Sequence, residues 1–434
     1  MTQNNNPFAS DKLAKLAAEA AQRGSAMHEQ FLLRRRDGML EMQRMIAAQL
    51  GSTAAPVRPA LFDSRQIDEF GTGQISQCLG ADFAKYDSRR IPRIPNGNLK
   101  MMTRVVEISG TRHGYHQPAS VTVEYDVPVD AWYMRETVSP HIPTSLLMEI
   151  ALQPCGFLSA YLDTYAAVPY GDFYFRNLDG SARVAAAPDV RGKTITTQAR
   201  LLNSIIGGGT VIQKFAFALT CEGQTLYEGE SSFGYFSVET MSNQVGLDGG
   251  KRVQPWLREP ANNGAPAQAL DLRKMQSGQP GKPHYRLPAG KLHFVDSVAF
   301  VPGGGRYGQG YLLAARPVDA RDWFYPFHFH GDPVMPGSLG VEAILESMQA
   351  GALALDLGGQ MQSPWFGLFA TAPAMEWRYR GQITPAHKNM ELEVHLSGVL
   401  REGANVCLLG DASLWVDGLR IYEVKNASVG LLES

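Results

Sequence analysis

Two stretches of the chain are apolar at nearly every position over the length of a helix, at residues 144–161 and 338–355. A helix that is apolar on all sides must be enclosed, and a curved antiparallel sheet can enclose it. Strand-like runs surround each stretch. The predicted strands are 101–108, 120–127, 194–202, 211–221 and 225–236 in the first half, and 293–301, 310–317, 326–329, 374–381, 390–400, 406–416 and 419–431 in the second. The pattern predicts an α+β protein with two sheets, each wrapped around one long helix.

The two halves repeat a local pattern around these helices. Trp132 and Trp323 each precede a proline that leads into the helix, and Glu149 and Glu342 hold equivalent helical positions. The sequence therefore predicts four regions. They are a helical and loop-rich lead-in over 1–98 with a helix over 11–50, a first copy over 99–245, a Gly- and Pro-rich linker over 246–290, and a second copy over 291–434.

Composition narrows the class of protein. The 434 residues include 40 basic and 42 acidic side chains, a net charge of −2, which gives no reason to expect binding to nucleic acid or an anionic membrane. The four cysteines form no C-x-x-C pair, so neither a disulfide framework nor a zinc site is indicated. The first residues show no basic segment followed by an apolar one, and no apolar run reaches membrane-spanning length, so we expect neither export nor a membrane span. We expect a cytoplasmic protein.

The second copy combines a base, a helix start and an acid within one short segment. His328 lies on a run predicted as a strand, Pro336-Gly337 begins a helix, and Glu342 follows His328 by 14 residues. The free N–H groups of the first helical turn, those of Gly337 and Ser338, can bind a carbonyl oxygen. Gly337 has no side chain to keep a substrate away. A base, an acid and such donors are what proton transfer beside a thioester carbonyl requires.

His330 leaves an alternative open. On a continuing strand it would share a face with His328, so a metal-binding His-x-His pair is one interpretation. No further cluster of ligating residues follows, and the preferred interpretation is that His330 lines the substrate pocket without metal or cofactor. Asp332 is expected to fix the turn before Pro333.

The segment from His328 through Gly331-Asp-Pro-Val-Met-Pro-Gly337 to an acid resembles the active-site segment of the bacterial β-hydroxyacyl-(acyl carrier protein) dehydratases of the β-hydroxydecanoyl type. Their fold, the hot-dog, is a sheet wrapped around a central helix. The order of a lead-in, a degenerate copy and an intact copy resembles the dehydratase segments of polyunsaturated fatty acid synthases. The resemblance thus implies a double hot-dog that acts on β-hydroxyacyl chains bound to an acyl carrier protein. Other domains of a larger synthase are then expected as neighbours.

The resemblance also implies how the site is assembled. In that family the histidine and the acid come from different hot-dogs, so His328 is expected to face Glu149 of the first copy. Gln153 then completes the family's acid-x-x-x-Gln pattern, whereas the second copy has Glu342 and Glu346. Glu342 stays open as the alternative acid. The first copy has no histidine equivalent to His328, so one competent and one degenerate tunnel are predicted.

Two other functions stay open at this point. A hot-dog thioesterase or a non-catalytic acyl-binding module would bind the thioester without dehydrating it, and a His-x-His enzyme would need metal. Both acids are glutamates where the family has aspartate, so the resemblance does not extend to isomerase activity. Since one chain supplies both copies, a monomer is sufficient for a complete site, although a homodimer stays open.

Overall fold

The computed structural model describes residues 58–168, 171–207 and 210–433. The helix predicted over 11–50 lies outside the described residues. The helices are α1 (Ser64–Thr72), α2 (Ile75–Leu79), α3 (Trp132–Thr137), α4 (Thr144–Tyr161), α5 (Val238–Ser242), α6 (Leu272–Ser277), α7 (Tyr325–His328) and α8 (Gly337–Ala354). Short 3-10 turns lie at Ala81–Tyr86, Gly97–Leu99, Thr164–Ala167, Trp256–Arg258 and Gly290–Leu292.

All strands of the described part join one antiparallel sheet. The strands are β1 (Arg104–Ser109), β2 (Ala119–Asp126), β3 (Phe173–Val184), β4 (Thr194–Gly207), β5 (Thr210–Cys221), β6 (Gln224–Ser237), β7 (Gln268–Ala269), β8 (Ser297–Val301), β9 (Tyr311–Pro317), β10 (Pro364–Gly367), β11 (Met375–Tyr379), β12 (Asn389–Glu402), β13 (Asn405–Val416) and β14 (Leu419–Glu433). Their order is β1-β2-β4-β5-β6-β3-β11-β14-β13-β12-β9-β8-β7, and β10 also pairs with β14.

This strand order is nearly symmetric about its centre. Strands β1, β2, β4, β5, β6 and β3 form the first copy, and β8, β9, β12, β13, β14 and β11 repeat them in the second. The copies meet where β3 pairs with β11, with Met375 opposite Ala182 and Arg378 opposite Asp179. Each half-sheet curves around one central helix, α4 or α8. The predicted double hot-dog fold is confirmed, with the difference that the two predicted sheets are joined through β3 and β11 into one.

The central helices are buried because no face of either is polar enough to meet solvent. Between Ser145 and Tyr161, every residue of α4 is buried except Leu152 and Gly156. Pro154 lies inside the helix and cannot donate to the carbonyl of Ile150. The hydroxyl of Thr197 on β4 donates to that oxygen at 3.4 Å instead.

The segments before and between the copies pack against them. Residues of α1, α2 and the following 3-10 turn share an apolar core with the C-terminal half of α4. The region over 246–290, predicted as a linker, adds β7 at the edge of the second sheet and the helix α6. Tyr285 and Leu287 from this region are fully buried, so it is also part of the second copy's core.

Two local predictions differ from the structure. The segment 326–329, predicted as a strand, forms the helix α7 and its C-cap, because Pro326 holds a backbone angle suited to a first helical turn. The strand β3 was not predicted from the sequence. Most of its positions are only half-buried and it contains Asp179-Gly180, because it lies at the junction of the copies rather than over one core.

Candidate active site

The base predicted from the sequence, His328, lies at the end of α7 with its ring buried. Its Nδ1 is 2.9 Å from the carbonyl oxygen of Val334. A carbonyl can only accept, so Nδ1 carries the proton of the neutral ring and Nε2 is left as the basic nitrogen. Burial lowers the pKa of His328 to about 4, and the bond to Val334 opposes that shift. The imidazole is therefore neutral over the physiological pH range.

Glu149 lies on α4 and is held by donors from both copies. The hydroxyl of Ser338, in the first turn of α8, donates to one carboxyl oxygen at 2.6 Å. The amide of Gln153 donates to the other oxygen at 2.9 Å. Burial raises the pKa of Glu149, and the bonds from Ser338 and Gln153 only partly offset it. A buried carboxyl with a raised pKa can keep its proton where free glutamic acid would lose it.

Gln153 is fixed by the backbone of the lead-in to β1. Its side-chain oxygen accepts from the N–H of Met101 at 2.9 Å, and its amide donates to the carbonyl of Leu99 at 2.8 Å. Because both ends of this side chain are engaged, its amide nitrogen is aimed at Glu149.

These groups line one cavity of about 480 Å³ between the copies. His328, Gly337 and Ser338 contribute from the second copy, and Glu149 and Gln153 contribute from the first. The remaining lining is mainly apolar and aromatic, including Leu152, Phe175 and Phe233. The structure thus brings together five of the residues that the sequence singled out.

Glu342 lies elsewhere, on a second cavity of about 50 Å³ that contains none of those five residues. The hydroxyl of Ser145 donates to its carboxyl at 2.6 Å, which repeats the contact between Ser338 and Glu149. Burial raises the pKa of Glu342 to about 7. This cavity is the counterpart of the first one, and Thr137 holds the place of His328 after the repeated tryptophan.

His141 also lines the small cavity, but it is positioned differently from His328. Its Nδ1 accepts a hydrogen bond from the N–H of Leu368 at 3.1 Å, so this nitrogen is not available as a base. Burial lowers the pKa of His141 to about 4. The small cavity therefore has an acid at the position equivalent to Glu149, but its histidine comes from another position of the chain and accepts a hydrogen bond at Nδ1 where His328 donates one.

His330, predicted to line the pocket, is exposed and is not among the side chains around the large cavity. The prediction assumed a strand on which His328 and His330 share a face. The helix α7 ends at His328, so that alternation does not apply. Within the described residues, no group of three or more His, Cys, Asp or Glu side chains is arranged to hold a metal ion.

Asp332 makes an ion pair between the copies. Its carboxylate accepts two hydrogen bonds from the Arg176 guanidinium, at 2.7 and 2.8 Å, in addition to the turn bond from its N–H to the Phe329 carbonyl. Arg176 lies on β3 and lines the large cavity. The pair fixes the loop between His328 and Val334, and no pattern in the sequence indicated it because β3 was not predicted.

The packing around Gly337 was also not apparent from the sequence. A Cβ at this position would lie 2.6 Å from the ring of Tyr379, so the glycine is required by the packing of that ring as well as by access to the helix start. The Tyr379 hydroxyl donates to the Gly337 carbonyl at 3.3 Å. The hydrogen bonds from Ser145 and Ser338 to the two glutamates, in contrast, could have been inferred from the sequence, because the two serines hold equivalent positions of the repeat.

The chain matches one family model and is similar to one subunit of a fatty acid synthase. Residues 287–425 match the family model described as a FabA-like domain. One of the subunits of the polyunsaturated fatty acid synthase of Thraustochytrium sp. is 35% identical over 380 residues, which is 83% of this chain and 25% of that protein. The chain therefore spans about a quarter of the length of this curated relative.

Solved structures of two enzyme classes are similar at low identity. A CurJ dehydratase has a TM-score of 0.41 and 10% identity, with 77% of this chain and 98% of that chain covered. An acyl-ACP thioesterase from Bacteroides thetaiotaomicron has a TM-score of 0.37 and 9% identity, with 72% and 98% covered. These scores do not distinguish a dehydratase from a thioesterase. The FabA-like match falls on the second copy and the few residues before it, in agreement with the resemblance seen in its sequence. Among the described helices, none is both long and apolar enough to cross a membrane.

Proposed function

We propose that this protein dehydrates β-hydroxyacyl thioesters on an acyl carrier protein to trans-2-enoyl thioesters, as a 3-hydroxyacyl-(acyl carrier protein) dehydratase. One observation carries the proposal: a buried neutral imidazole from one copy and a buried carboxyl of raised pKa from the other line the same apolar cavity. Groups whose environments push their pKa values in these opposite directions are suited to act as base and acid.

His328 is the base. Its Nε2 takes the proton from the α-carbon of the acyl chain, and the electrons of that C–H bond move toward the thioester carbonyl. The bond from Nδ1 to Val334 holds the ring in the required tautomer and supports the positive charge that develops on it.

The first turn of α8 binds the thioester oxygen as negative charge grows there. The N–H groups of Gly337 and Ser338 have no carbonyl one turn earlier in the helix, so they are free to donate. Their partial positive charge is fixed before the substrate arrives, and this is what makes such donors effective in a dry cavity.

Glu149 is the acid. It gives its proton to the β-hydroxyl, the C–O bond breaks, water leaves, and the double bond forms between the α- and β-carbons. After the reaction His328 holds a proton and Glu149 has lost one, so transfer of a proton from the first to the second restores the site. Gln153 and Ser338 stabilise the carboxylate during the interval in which it is charged.

The similarity to a polyunsaturated fatty acid synthase subunit supports a role for this reaction in fatty acid synthesis. Because the chain aligns with a quarter of one component of a polyunsaturated fatty acid synthase, we place it among the domains of a multidomain synthase, with a carrier-bound β-hydroxyacyl chain as substrate. The apolar lining of the cavity suits the hydrocarbon part of such a substrate.

The test is to incubate the purified chain with a β-hydroxyacyl thioester and follow the absorbance of the conjugated enoyl product. Conversion is expected, and His328→Ala is expected to lose it by a factor of about 100 or more, the usual contribution of a general base. Binding of the thioester by the variant serves as the control for its fold.

A thioesterase and an acyl-binding module would each give a different result in the same assay. A thioesterase releases free thiol without any enoyl absorbance, and an acyl-binding module binds the thioester and returns it unchanged. Either outcome would overturn the proposal.

A further inference from the structure

Each central helix lines one of the two cavities with one of its faces. On these faces the largest difference in side-chain size is at one equivalent pair of positions. Gly156 lies two helical turns beyond Glu149 on α4, and Gln349 lies at the same distance beyond Glu342 on α8. Gly156 lines the large cavity and Gln349 lines the small one.

Three other pairs of lining positions are equivalent in the two cavities. Leu152 and Phe175 of the large cavity have Leu345 and Phe366 as their counterparts in the small one. Phe233 of the large cavity is replaced by the smaller Val429. Larger residues thus surround the larger cavity at some positions, so side-chain size there does not explain why it is open.

Gly156 lies on the face of α4 that lines the large cavity. Along α4, Leu152 and Gly156 are the only positions between Ser145 and Tyr161 that are not buried, and they lie one turn apart on the same face. A Cβ at Gly156 would meet a single side chain within 4 Å, the Phe175 ring at 3.6 Å, and would otherwise project into the cavity. The glycine is therefore not required by packing, whereas Gly340 on α8 is, since a Cβ there would lie 2.4 Å from Tyr422.

A glycine in the middle of a helix is less favourable than alanine, because it leaves the unfolded chain with more freedom. Neither a close contact nor a positive φ angle accounts for Gly156. The missing side chain leaves space in the cavity. This space lies about 10 Å from Glu149 along the helix, at a rise of about 1.5 Å per residue.

In the small cavity this space is filled. Gln349 occupies the equivalent position, and its Oε1 is buried without a hydrogen-bond partner among the described residues. A buried amide oxygen without a partner is costly, so the side chain is not there to satisfy a local bond. Its presence closes the region that Gly156 leaves open.

We propose that Gly156 sets the length of acyl chain that the site accepts, with the distal part of the chain passing Leu152 and Gly156 beside Phe175. The inference rests on the proposed dehydratase function, since the acyl group must extend from His328 and Glu149 along α4. It assigns a specificity-determining role to a position that takes no part in the chemical step.

The experiment compares Gly156→Ala and Gly156→Leu with the unaltered chain, on β-hydroxybutyryl and β-hydroxydodecanoyl thioesters. For Gly156→Ala, kcat/KM on the long substrate is expected to fall by about tenfold and on the short one to stay within about twofold, because one methyl group in an apolar pocket discriminates by about that factor. Gly156→Leu is expected to widen the difference. The thermal midpoint of Gly156→Ala should be unchanged or higher, which separates a specificity effect from loss of fold.

Gln349→Gly is the matched control, since it makes the reciprocal change on the helix whose cavity lacks His328. Its ratio of long-chain to short-chain activity should equal that of the unaltered chain. The proposal is overturned if Gly156→Leu lowers both substrates equally or lowers neither.

A binding measurement keeps this test separate from the proposed function. Saturated butyryl and dodecanoyl thioesters cannot be dehydrated, and their affinities can be measured by calorimetry for the same variants. If no hydroxyacyl thioester is converted but Gly156→Leu weakens only the long ligand, the dehydratase proposal fails and the length assignment stands. If conversion occurs and neither affinity nor kcat/KM depends on chain length in the variants, the length assignment fails alone.

Discussion

Ser338 and Ser145 lie in the first turns of the two central helices and make the same hydrogen bond, each to the glutamate of the opposite helix at 2.6 Å. Beyond this pair the two sites diverge. The site of Glu149 has His328, Gln153 and a cavity of about 480 Å³. The site of Glu342 has Thr137 at the position of His328 and a cavity of about 50 Å³.

The comparison shows which features belong to the fold and which belong to the chemistry. A serine at the start of one helix and an acid on the other recur in both sites, so they belong to the framework that the two copies share. The glutamine next to the acid does not recur. Its counterpart Glu346 instead accepts from the N–H of Phe294 and from the ring of His293, both at 2.6 Å. The degenerate site has thus kept its framework and changed the groups around it.

The largest expected difference is between the two acids. Glu149→Gln should lower kcat by about 100-fold or more, because the amide cannot give a proton to the leaving hydroxyl. Glu342→Gln should change kcat by less than about twofold, since that carboxyl lines the other cavity. Kinetics on one β-hydroxyacyl thioester decide between them. Equal damage from both changes would show that the acid assignment is wrong.

The pH dependence of kcat/KM should reveal the opposite pKa shifts. Activity requires a neutral His328, so it should rise with pH through about 4, where free histidine would give a limb near pH 6.5. Activity also requires a protonated Glu149, so it should fall as pH rises through the raised pKa of that group. An acid limb near 6.5 would contradict the burial of His328.

Removing the serine hydroxyls tests whether the repeated contact serves catalysis on one side only. Ser338→Ala should lower kcat by about tenfold, the value of one hydrogen bond to a charged group. It should also move the alkaline limb of the profile upward, because that bond stabilises the Glu149 carboxylate. Ser145→Ala removes the matching bond to Glu342 and should leave both the rate and the profile unchanged.

The smallest effect is expected at the ion pair that joins the copies beside the large cavity. The described residues around the small cavity form no such pair. The position opposite Gly430 of β14 is held by Gly367, whereas the equivalent position opposite Gly234 of β6 is held by Arg176. Asp332→Asn should lower the free energy of unfolding by about 1–2 kcal/mol, since the Arg176 and Asp332 side chains are only 11% and 17% exposed.

The control for this change is Glu228→Gln, in the exposed pair between Arg183 and Glu228, which should cost less than about 0.5 kcal/mol. Denaturant unfolding measures both. If the two costs are equal, Asp332 does not hold the loop that carries His328.

The sequence predicted the elements whose pattern is local. The helix over 144–161 has the predicted bounds, and the paired strands over 390–431 extend only slightly beyond them, because a continuous apolar run or a steady alternation identifies its own element. The resemblance to the FabA-like family was also visible in the segment around His328, and the family match confirms it.

Two of the elements that the sequence missed, β3 and α7, contribute to the contact between the copies. Strand β3 has a polar, half-buried pattern because its partner β11 is almost two hundred residues away, and α7 was mistaken for a strand because four residues are too few to show a period. His330 was placed in the pocket for the same reason. Arg176 could not be found, since its role depends on a loop of the other copy.

By itself the sequence determined that two copies of one α+β unit are present, that only the second has a histidine five residues after its tryptophan, and that each copy has an acid on its helix. The family resemblance implied that His328 faces Glu149 but left Glu342 open, and only the tertiary structure decided that His328 and Glu149 line one cavity while Glu342 lines another. The reason is physical: patterns along a chain report which side of an element is buried, whereas the meeting of groups from different copies depends on how the two sheets join.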